Sequence, residues 1–550
     1  MGYPAPSLVR RGLVTAAALV CASCAAAHAS AATKLVVSGR GWGHGVGMSQ
    51  WGAYGFAAHG WTWQRILAHY YTGTTLGDAP ITKVRVLLAD PQLTATVGCA
   101  GAIRVGDATG QGFLLPPGNY PVTAKLRLPV GHKRVRVGTA HHRRGRFVTV
   151  PAKRALRSPV VFDCPSAPLT YAGRPYHGTL VVRRTGKKIS VVNTVSIDDY
   201  VRGVVAGEMP YRWSVAALAA QAVASRSYAL ATLKPAKTFD LYADTRSQVY
   251  GGVDYETTRT NLAVAKTAQK VVLWKGHVAT TFFFSTSGGR TANVQEVWPK
   301  AGNVPYLRSV SDPYDVRSPH HAWGPITLDA ARVAHRLHVP VGDMRVVRTP
   351  SGRVASVQIG SRSIDGNAFR QDLGLASTWF DVGELSLVRS RQQVTYGGKV
   401  ALALHAEGLG RAKLQRRVGA GAWKTLASVD GTDRVTVEPR ADTLYRLSAG
   451  AVTGPVVSVG VAPAVTLDPV AVRELTGDVA PVSRGAVTVS RRVGAGWKVV
   501  AHPQIDAHGH FSAPLQLRRG AYRVDIASDG RYAATAASLT VTARLLASLR

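Results

Sequence analysis

The sequence predicts an α+β protein: a mixed helix/strand domain over residues 32–385 with a β-rich insertion at about 90–185, then two all-β sandwich modules at 390–464 and 465–550. Three observations predict it. Helical periodicity with capping residues concentrates at 49–78 and 196–230. Short apolar runs separated by Gly and Pro fill 81–192. Residues 390–550 alternate in the manner of strands, with frequent turns and almost no helix signal.

Near the start of the sequence Arg10-Arg11 is followed by an apolar, acid-free run from Gly12 to Ala27. Ala27-His28-Ala29 and Ala29-Ser30-Ala31 both fit a small-x-small cleavage site. Residues 1–31 are therefore expected to be a secretory signal peptide, since the run is short of the ~20 residues a membrane span requires. Export leaves Cys99 and Cys164 in the mature chain. In an oxidising compartment these are expected to form one disulfide, with two buried thiols as the alternative. No spacing for a Cys-based zinc site remains. The net charge of +36, from 67 basic and 31 acidic residues, calls for a polyanionic surrounding: nucleic acid, an anionic membrane or an anionic wall polymer. Export removes intracellular nucleic acid and leaves a secreted, cell-wall location with anionic wall polymers as partners of the basic surface.

Leu35-Val36-Val37 is strand-like. The next segment, Gly41-Trp-Gly-His-Gly-Val-Gly-Met-Ser-Gln-Trp-Gly-Ala53, alternates glycines, which implies close backbone approach or positive φ. It matches neither a Walker loop nor a dinucleotide-binding fingerprint. His44, Ser49 and Gln50 are polar groups on a glycine frame, and Trp42 or Trp51 can stack on a sugar. Ser49 is expected to cap a helix ending near Gly60. Thr62 is expected to cap a second helix, whose Trp63, Ile66, Leu67 and Tyr70 share one face. Strands follow at 84–88, 113–115, 134–137, 147–150 and 180–182. Between them, 125–157 is densely basic, including His141-His142-Arg143-Arg144, and as a patch suits contact with a wall polymer.

In Ser196-Ile-Asp-Asp-Tyr-Val-Arg-Gly-Val-Val-Ala-Gly-Glu-Met-Pro210, Ser196 or Asp198 can cap a helix. Val201, Val204, Val205 and Glu208 then lie on one face. Pro210 disfavours helical geometry at Met209, so Glu208 falls in the last turn. There, partial burial and the negative end of the helix dipole both raise a carboxyl pKa, as a general acid in glycoside cleavage requires. A surface Glu at a helix end is the competing reading. Ser214 is expected to cap a second helix, Val215 to Leu230, on which Gln221, Ser225 and Tyr228 form a polar stripe. The stripe suits either a sugar groove or a hydrogen-bonded core network. Arg226 is a candidate ion-pair partner or substrate contact. Thr280 to Thr291 is expected to be a buried strand running into a polar loop, where Ser285, Thr286, Ser287 and Gly288 can hydrogen-bond a glycan. In the C-terminal half an internal repeat stands out: Arg416-Arg-Val-Gly-Ala-Gly-Ala-Trp-Lys424 against Arg491-Arg-Val-Gly-Ala-Gly-Trp-Lys498. Two related sandwich modules explain it.

Taken together, the runs 43–53, 191–228 with Gly207-Glu-Met-Pro210, Ser247-Gln-Val-Tyr-Gly-Gly252, 285–289 and Leu373-Gly-Leu-Ala-Ser-Thr-Trp-Phe380 resemble the stage II sporulation protein D (SpoIID) family, which includes the LytB-type amidase enhancers. The resemblance implies a peptidoglycan lytic transglycosylase that needs no cofactor. It implies Glu208 as the acid, and Gln248 and Tyr250 with the residues above as substrate contacts. It also implies that a single carboxylate suffices, with Asp198 and Asp199 as capping residues and Asp240, Asp244 and Glu256 as possible helpers. Its enhancer branch implies an alternative, a non-catalytic glycan-binding protein that stimulates a wall amidase. Two departures stand out. The glycine/His/Ser/Gln block precedes the Glu208 region instead of following it, so the fold must bring 41–53 back beside Glu208. Where some relatives carry Cys and His ligands for a metal, this chain has Phe282, Phe283 and Phe284, so no metal is expected.

Overall fold

The computed structural model describes residues 33–110, 112–129, 134–137, 146–149, 153–234, 237–339 and 344–549. The expected signal peptide and the His141–Arg144 stretch lie outside them. The chain is a mixed α+β protein built from several sheets and helices.

A seven-stranded sheet runs in the order Leu241–Tyr242, Lys83–Gln92, Lys188–Ser196, Thr179–Thr185, Val160–Asp163, Ile103–Gly106, Gly112–Leu115. Beside it lies a four-stranded sheet of Arg174–Tyr176, Leu169–Tyr171, Thr94–Cys99 and Gly118–Thr123. Of the expected strands, 84–88, 113–115 and 180–182 are present and longer, while 134–137 is found as expected and 147–150 lies at Arg146–Thr149, these last two pairing with each other. Alternation supplies the buried face: along Thr179–Thr185, Leu180 and Val182 are inside while Thr179 and Val181 are less covered. These strands share one apolar core with the helices, since Val97, Phe162 and Val191 belong to the same cluster as Val201, Val223 and Tyr70. Cys99 and Cys164 are joined by a disulfide, with Cα atoms 6.6 Å apart, which ties the two sheets together.

The helices begin where short polar side chains can satisfy free N–H groups. Ser49 caps Gln50–Ala58, Thr62 caps Trp63–Tyr70, Ser196 caps Ile197–Glu208 and Ser214 caps Val215–Ala231. The first helix stops before Gly60 because His59 closes it: its Nδ1 bonds the Gly55 carbonyl at 2.8 Å. Val215–Ala231 is buried on nearly every side, as its run of alanines permits.

A second, smaller core lies over 323–382. Helices Ala330–Leu337 and Gly366–Leu373 cover the three-stranded sheet of Met344–Arg348, Val354–Ile359 and Arg362–Asp365. Strand Lys34–Arg40 pairs with Ala322–Asp329 on one side and Phe380–Arg389 on the other. Phe380–Arg389 continues into pairing with Val400–Ala406. One five-stranded sheet therefore passes from the N-terminal half into the C-terminal half. Beyond it, apolar residues of 385–461 and of 475–549 form two distinct cores, the second closed by antiparallel sheets and the first by sheets that are antiparallel except where Gln393–Thr395 pairs in parallel with Val457–Ala462.

Removing the Cys99–Cys164 cross-link frees a loop with a sequence separation of 65 residues. The Cys99→Ala/Cys164→Ala protein is expected to lose about 2–4 kcal/mol of stability, read as a lowered Tm. An unchanged Tm would mean the sheets hold each other without the bond.

Candidate functional site

The Ile197–Glu208 helix buries Val201, Val204 and Val205 and ends on Glu208. Met209 is extended (φ −128°, ψ 144°), as the following Pro210 demands. The Glu208 side chain is half-buried. The Val249 N–H donates to Glu208 Oε1 at 3.2 Å. The Gln50 side chain supplies a second hydrogen bond. Burial pushes the Glu208 carboxyl above its ordinary value, and these two hydrogen bonds pull it part of the way back. Tyr200 and Tyr228 lie close enough for the Glu208 charge to reinforce what burial does to their phenols, holding both protonated.

Gln50 reaches Glu208 because the glycine loop is stitched to the Ser-Thr-Ser loop. Met48–Ser49 pairs in parallel with Phe283–Phe284. Bridges join Trp42 to Thr286 and Val46 to Ala292, and Trp51 N–H donates to the Ser285 carbonyl at 3.0 Å. The strand expected within 280–291 is thus only two residues long, and its partner is the glycine loop. Such contact requires bare backbone. At Gly47 (φ 78°) a Cβ would stand 2.1 Å from the Phe282 carbonyl oxygen, and at Gly45 (φ 90°) 2.4 Å from the buried Arg353 guanidinium carbon.

His44 is part of this stitching. Its Nδ1 accepts from Val46 N–H at 3.1 Å and its Nε2 donates to the Phe283 carbonyl at 3.1 Å. Its ring packs on Phe282, Phe284 and Trp298. Burial, opposed by the Phe283 bond and aided by Arg353, lowers its pKa to about 4, so it stays neutral. Ser49 is buried as the helix cap. Beneath the second loop sit two buried carboxylates that the sequence reading did not single out. Asp315 accepts from Ser287 Oγ (2.8 Å), Gly288 N–H (2.6 Å) and His321 (2.7 Å). Asp312 accepts from the Tyr70 hydroxyl at 2.9 Å; burial and the Asp315 charge raise its pKa to about 7. Thr286 is fixed by Ser318 (2.7 Å) and lies next to Ser285 Oγ (3.2 Å).

The remaining expected site residues divide by exposure. Trp42 is 46% exposed and rests edge-on against His320; Tyr228 and Ser285 are half-buried. Gln221 is buried and bonds Ser225 at 3.0 Å, so that end of the helix stripe is a core network. Gln248 is buried and accepts from Tyr200 at 3.0 Å; Tyr250 is buried and donates to Asn193 at 2.8 Å. Arg226 is wholly buried in a pair with Asp198 (2.7 Å), so Asp198 is an ion-pair partner and the expected cap is Ser196 alone. Asp199 bonds Ser196 and Arg202. Asp240 is held by Arg85, Asp244 by Arg246, and Glu256 by His177 and Asn261. The Glu-Met-Pro turn leads to Trp213, whose ring stacks on Tyr54 (4.6 Å) and meets Trp51 edge-on (4.8 Å).

The SpoIID (stage II sporulation protein) family model matches residues 185–274, the segment that contains Glu208 and its Val249 partner. Stage II sporulation protein D of Bacillus subtilis (strain 168) is 32% identical over 212 residues, covering 34% of this chain and 61% of that protein. Over these segments the chain is similar to the stage II sporulation protein D family. Among other relatives, an uncharacterized protein of Brachyspira hyodysenteriae is 37% identical over 154 residues, covering 28% of this chain and 41% of that one. The amidase enhancer of Bacillus subtilis is 39% identical over 124 residues, covering 22% of this chain and 16% of that one. The chain thus spans less than two thirds of the length of the curated SpoIID relatives it matches. Among the described residues, no helix is long and apolar enough to cross a membrane.

Two stability outcomes follow from this geometry. Because the folded state raises the Glu208 pKa, it binds that proton more tightly than the unfolded chain does. Stability is therefore lost as pH rises from the ordinary Glu range through the raised value. Glu208→Gln removes the penalty and is expected to melt no lower than the wild type at pH 7, with any advantage vanishing below about pH 4. A lower Tm for the variant at pH 7 would contradict the raised value. Asp315→Ala, which strands Ser287, Gly288 and His321, is expected to cost about 2–4 kcal/mol; a denaturant midpoint within error of wild type would disprove that role.

Proposed function

We propose that this chain is a secreted peptidoglycan lytic transglycosylase with Glu208 as its only acid–base group. The reading rests chiefly on one observation: Glu208 is a half-buried carboxyl held at a helix end, biased toward its protonated form and steadied by Gln50 and Val249. A group in that state donates a proton at neutral pH more readily than an exposed Glu. Glu208 protonates the oxygen joining N-acetylmuramic acid to N-acetylglucosamine, and the bond from C1 to that oxygen breaks. The muramic acid C6 hydroxyl then closes onto C1 and returns its proton to the Glu208 carboxylate. The product ends in a 1,6-anhydro sugar, no water is consumed, and the acid is regenerated.

This chemistry asks for no second carboxylate, which suits a site where Asp198, Asp199, Asp240, Asp244 and Glu256 are each engaged elsewhere. Gln50, Tyr228, Ser285 and Trp42 are the proposed glycan contacts. Ser49, Gln221, Arg226, Gln248, Tyr250, Thr286, Ser287 and Gly288 hold those contacts in place from beneath. The proposed surroundings are extracytoplasmic, with peptidoglycan strands as substrate, anionic wall polymers meeting the basic surface, and no role for nucleic acid.

The similarity to an amidase enhancer supports a second reading, a glycan-binding protein that stimulates a wall amidase without cutting glycan itself. Digestion of purified sacculi separates the two. Wild type is expected to release anhydro-muropeptides by mass spectrometry, with a rate that falls as pH climbs through the raised Glu208 value. Glu208→Gln is expected to be slower by at least about a hundredfold. If neither protein releases product while an added amidase accelerates, the transglycosylase reading is wrong and the enhancer reading stands.

A further inference from the structure

The internal repeat near the C-terminus extends beyond the segments Arg416–Lys424 and Arg491–Lys498. In the first copy, Ala412–Val418 forms a hairpin with Lys424–Val429 and pairs on its other edge with Thr443–Ala449. In the second, Val487–Val493 forms a hairpin with Gly496–Ala501 and pairs with Gly520–Ile526. Register makes the copies equivalent across that edge too. Arg416 faces Tyr445 in one, Arg491 faces Tyr522 in the other, and both tyrosines are buried. Each is followed by an outward arginine, Arg446 and Arg523. Each copy therefore repeats Arg-Arg, Tyr-Arg and Trp-Lys on three adjacent strands.

The tyrosines serve the cores, but the arginines and tryptophans do not. In the first copy Leu414 and Tyr445 point inward, so alternation turns Gln415, Arg417 and Arg446 to the opposite face. There the Arg446 guanidinium lies 4.1 Å, and the Arg417 guanidinium 4.9 Å, from the Trp423 ring centre. Arg446 Nε is further fixed by Gln415 at 2.9 Å. Arg417 Nε has no hydrogen-bond partner among the described residues. Two like charges are thus held on one indole, and neither hairpin sequence contains an Asp or Glu. In the second copy Arg492 sits directly across from Trp497, which is 45% exposed beside exposed Val493 and Val499. Here Arg523 is shared with Asp525 at 2.6 Å.

We propose that these twin hairpin faces are binding sites for a phosphodiester-linked wall glycopolymer. The charge sign demands a polyanion. Guanidinium forks match phosphate oxygens in pairs, and stacking on an indole fixes the forks before binding, so less side-chain freedom is lost. The exposed indole of the second copy offers a face for the polymer's carbon skeleton. Two copies in one chain bind one long polymer jointly. The first copy is the stronger, because among the described residues Arg417 and Arg446 have no carboxylate to leave, whereas Arg523 is paired with Asp525. The proposal deepens the wall-polymer part of the function above and is independent of Glu208.

The test uses the full-length protein with purified poly(glycerol phosphate), with polygalacturonate as the carboxylate comparison. It adds sedimentation with walls before and after hydrofluoric acid removes their phosphodiester polymers. Arg417→Gln/Arg446→Gln is expected to weaken poly(glycerol phosphate) binding about tenfold, Arg492→Gln/Arg523→Gln by less, and the four together more than either pair. Arg518→Gln/Arg519→Gln, an equal loss of exposed charge nearby, is expected to change it about twofold or less. Unchanged melting curves show that the variants fold. The fourfold variant keeps its activity on short soluble glycan, and Glu208→Gln keeps its polymer affinity, so this idea and the transglycosylase reading fail separately. Undiminished binding by the fourfold variant overturns the proposal. So does an equal loss in the Arg518/Arg519 control, equal affinity for polygalacturonate, or equal sedimentation with stripped walls.

Discussion

The candidate site depends on a two-residue parallel pairing, Met48–Ser49 beside Phe283–Phe284. Segments that far apart in the chain have no local reason to meet, and closing such a loop costs entropy that only specific contacts can offset. Here the contacts are backbone hydrogen bonds on both sides of the pair, the doubly bonded His44 ring, and aromatic packing around it. Ser49 then caps the next helix, and Gln50, the first residue of that helix, is delivered to Glu208. A side chain at Gly45 or Gly47 would force the loops apart and withdraw Gln50 from the acid.

A balance of burial and bonding sets the chemistry. Glu208 is covered enough to favour its proton, yet it has two donors, so the carboxylate form remains accessible. Asp198 shows the other solution. It meets the guanidinium of Arg226, whose burial and pairing make that pair part of the frame. Asp312 and Asp315 show a third. They share a buried space in which one is pushed toward protonation while the other gathers three donors beneath the Ser-Thr-Ser loop. Carboxyls of one chain thus take separate roles according to what surrounds them.

Much of this was legible in the sequence where local physics decides. Ser49, Thr62, Ser196 and Ser214 announced the helices they cap. Val201, Val204 and Val205 announced the buried face that carries Glu208, and Pro210 announced its end. The bond between Gln50 and Glu208 was legible only as a requirement of the resemblance, because nothing in residues 41–53 specifies a distant partner. The small core over 323–382 escaped the sequence reading because its helices span only eight residues each and part of its apolar lining, Leu35 and Val37, comes from far away in the chain. Gln221 fitted a groove or a core network equally, because a polar side chain in an apolar stripe carries the same signal whether it meets a ligand or another side chain; Gln248 and Tyr250 were contacts only as the resemblance implied, and both are buried in hydrogen bonds within the fold. Asp312 and Asp315 gave no signal at all, because their partners come from elsewhere in the chain.

The central claim is that burial holds Glu208 as a proton donor while its bond to Gln50 keeps the carboxylate form within reach. Infrared titration of the carboxyl stretch, taken as wild type minus Glu208→Gln, measures this directly. The account predicts a midpoint above the ordinary Glu value, moving higher still in Gln50→Leu, where one bond to the carboxylate is lost. A Glu208 that titrates at the ordinary value, or that ignores the loss of Gln50, would contradict it.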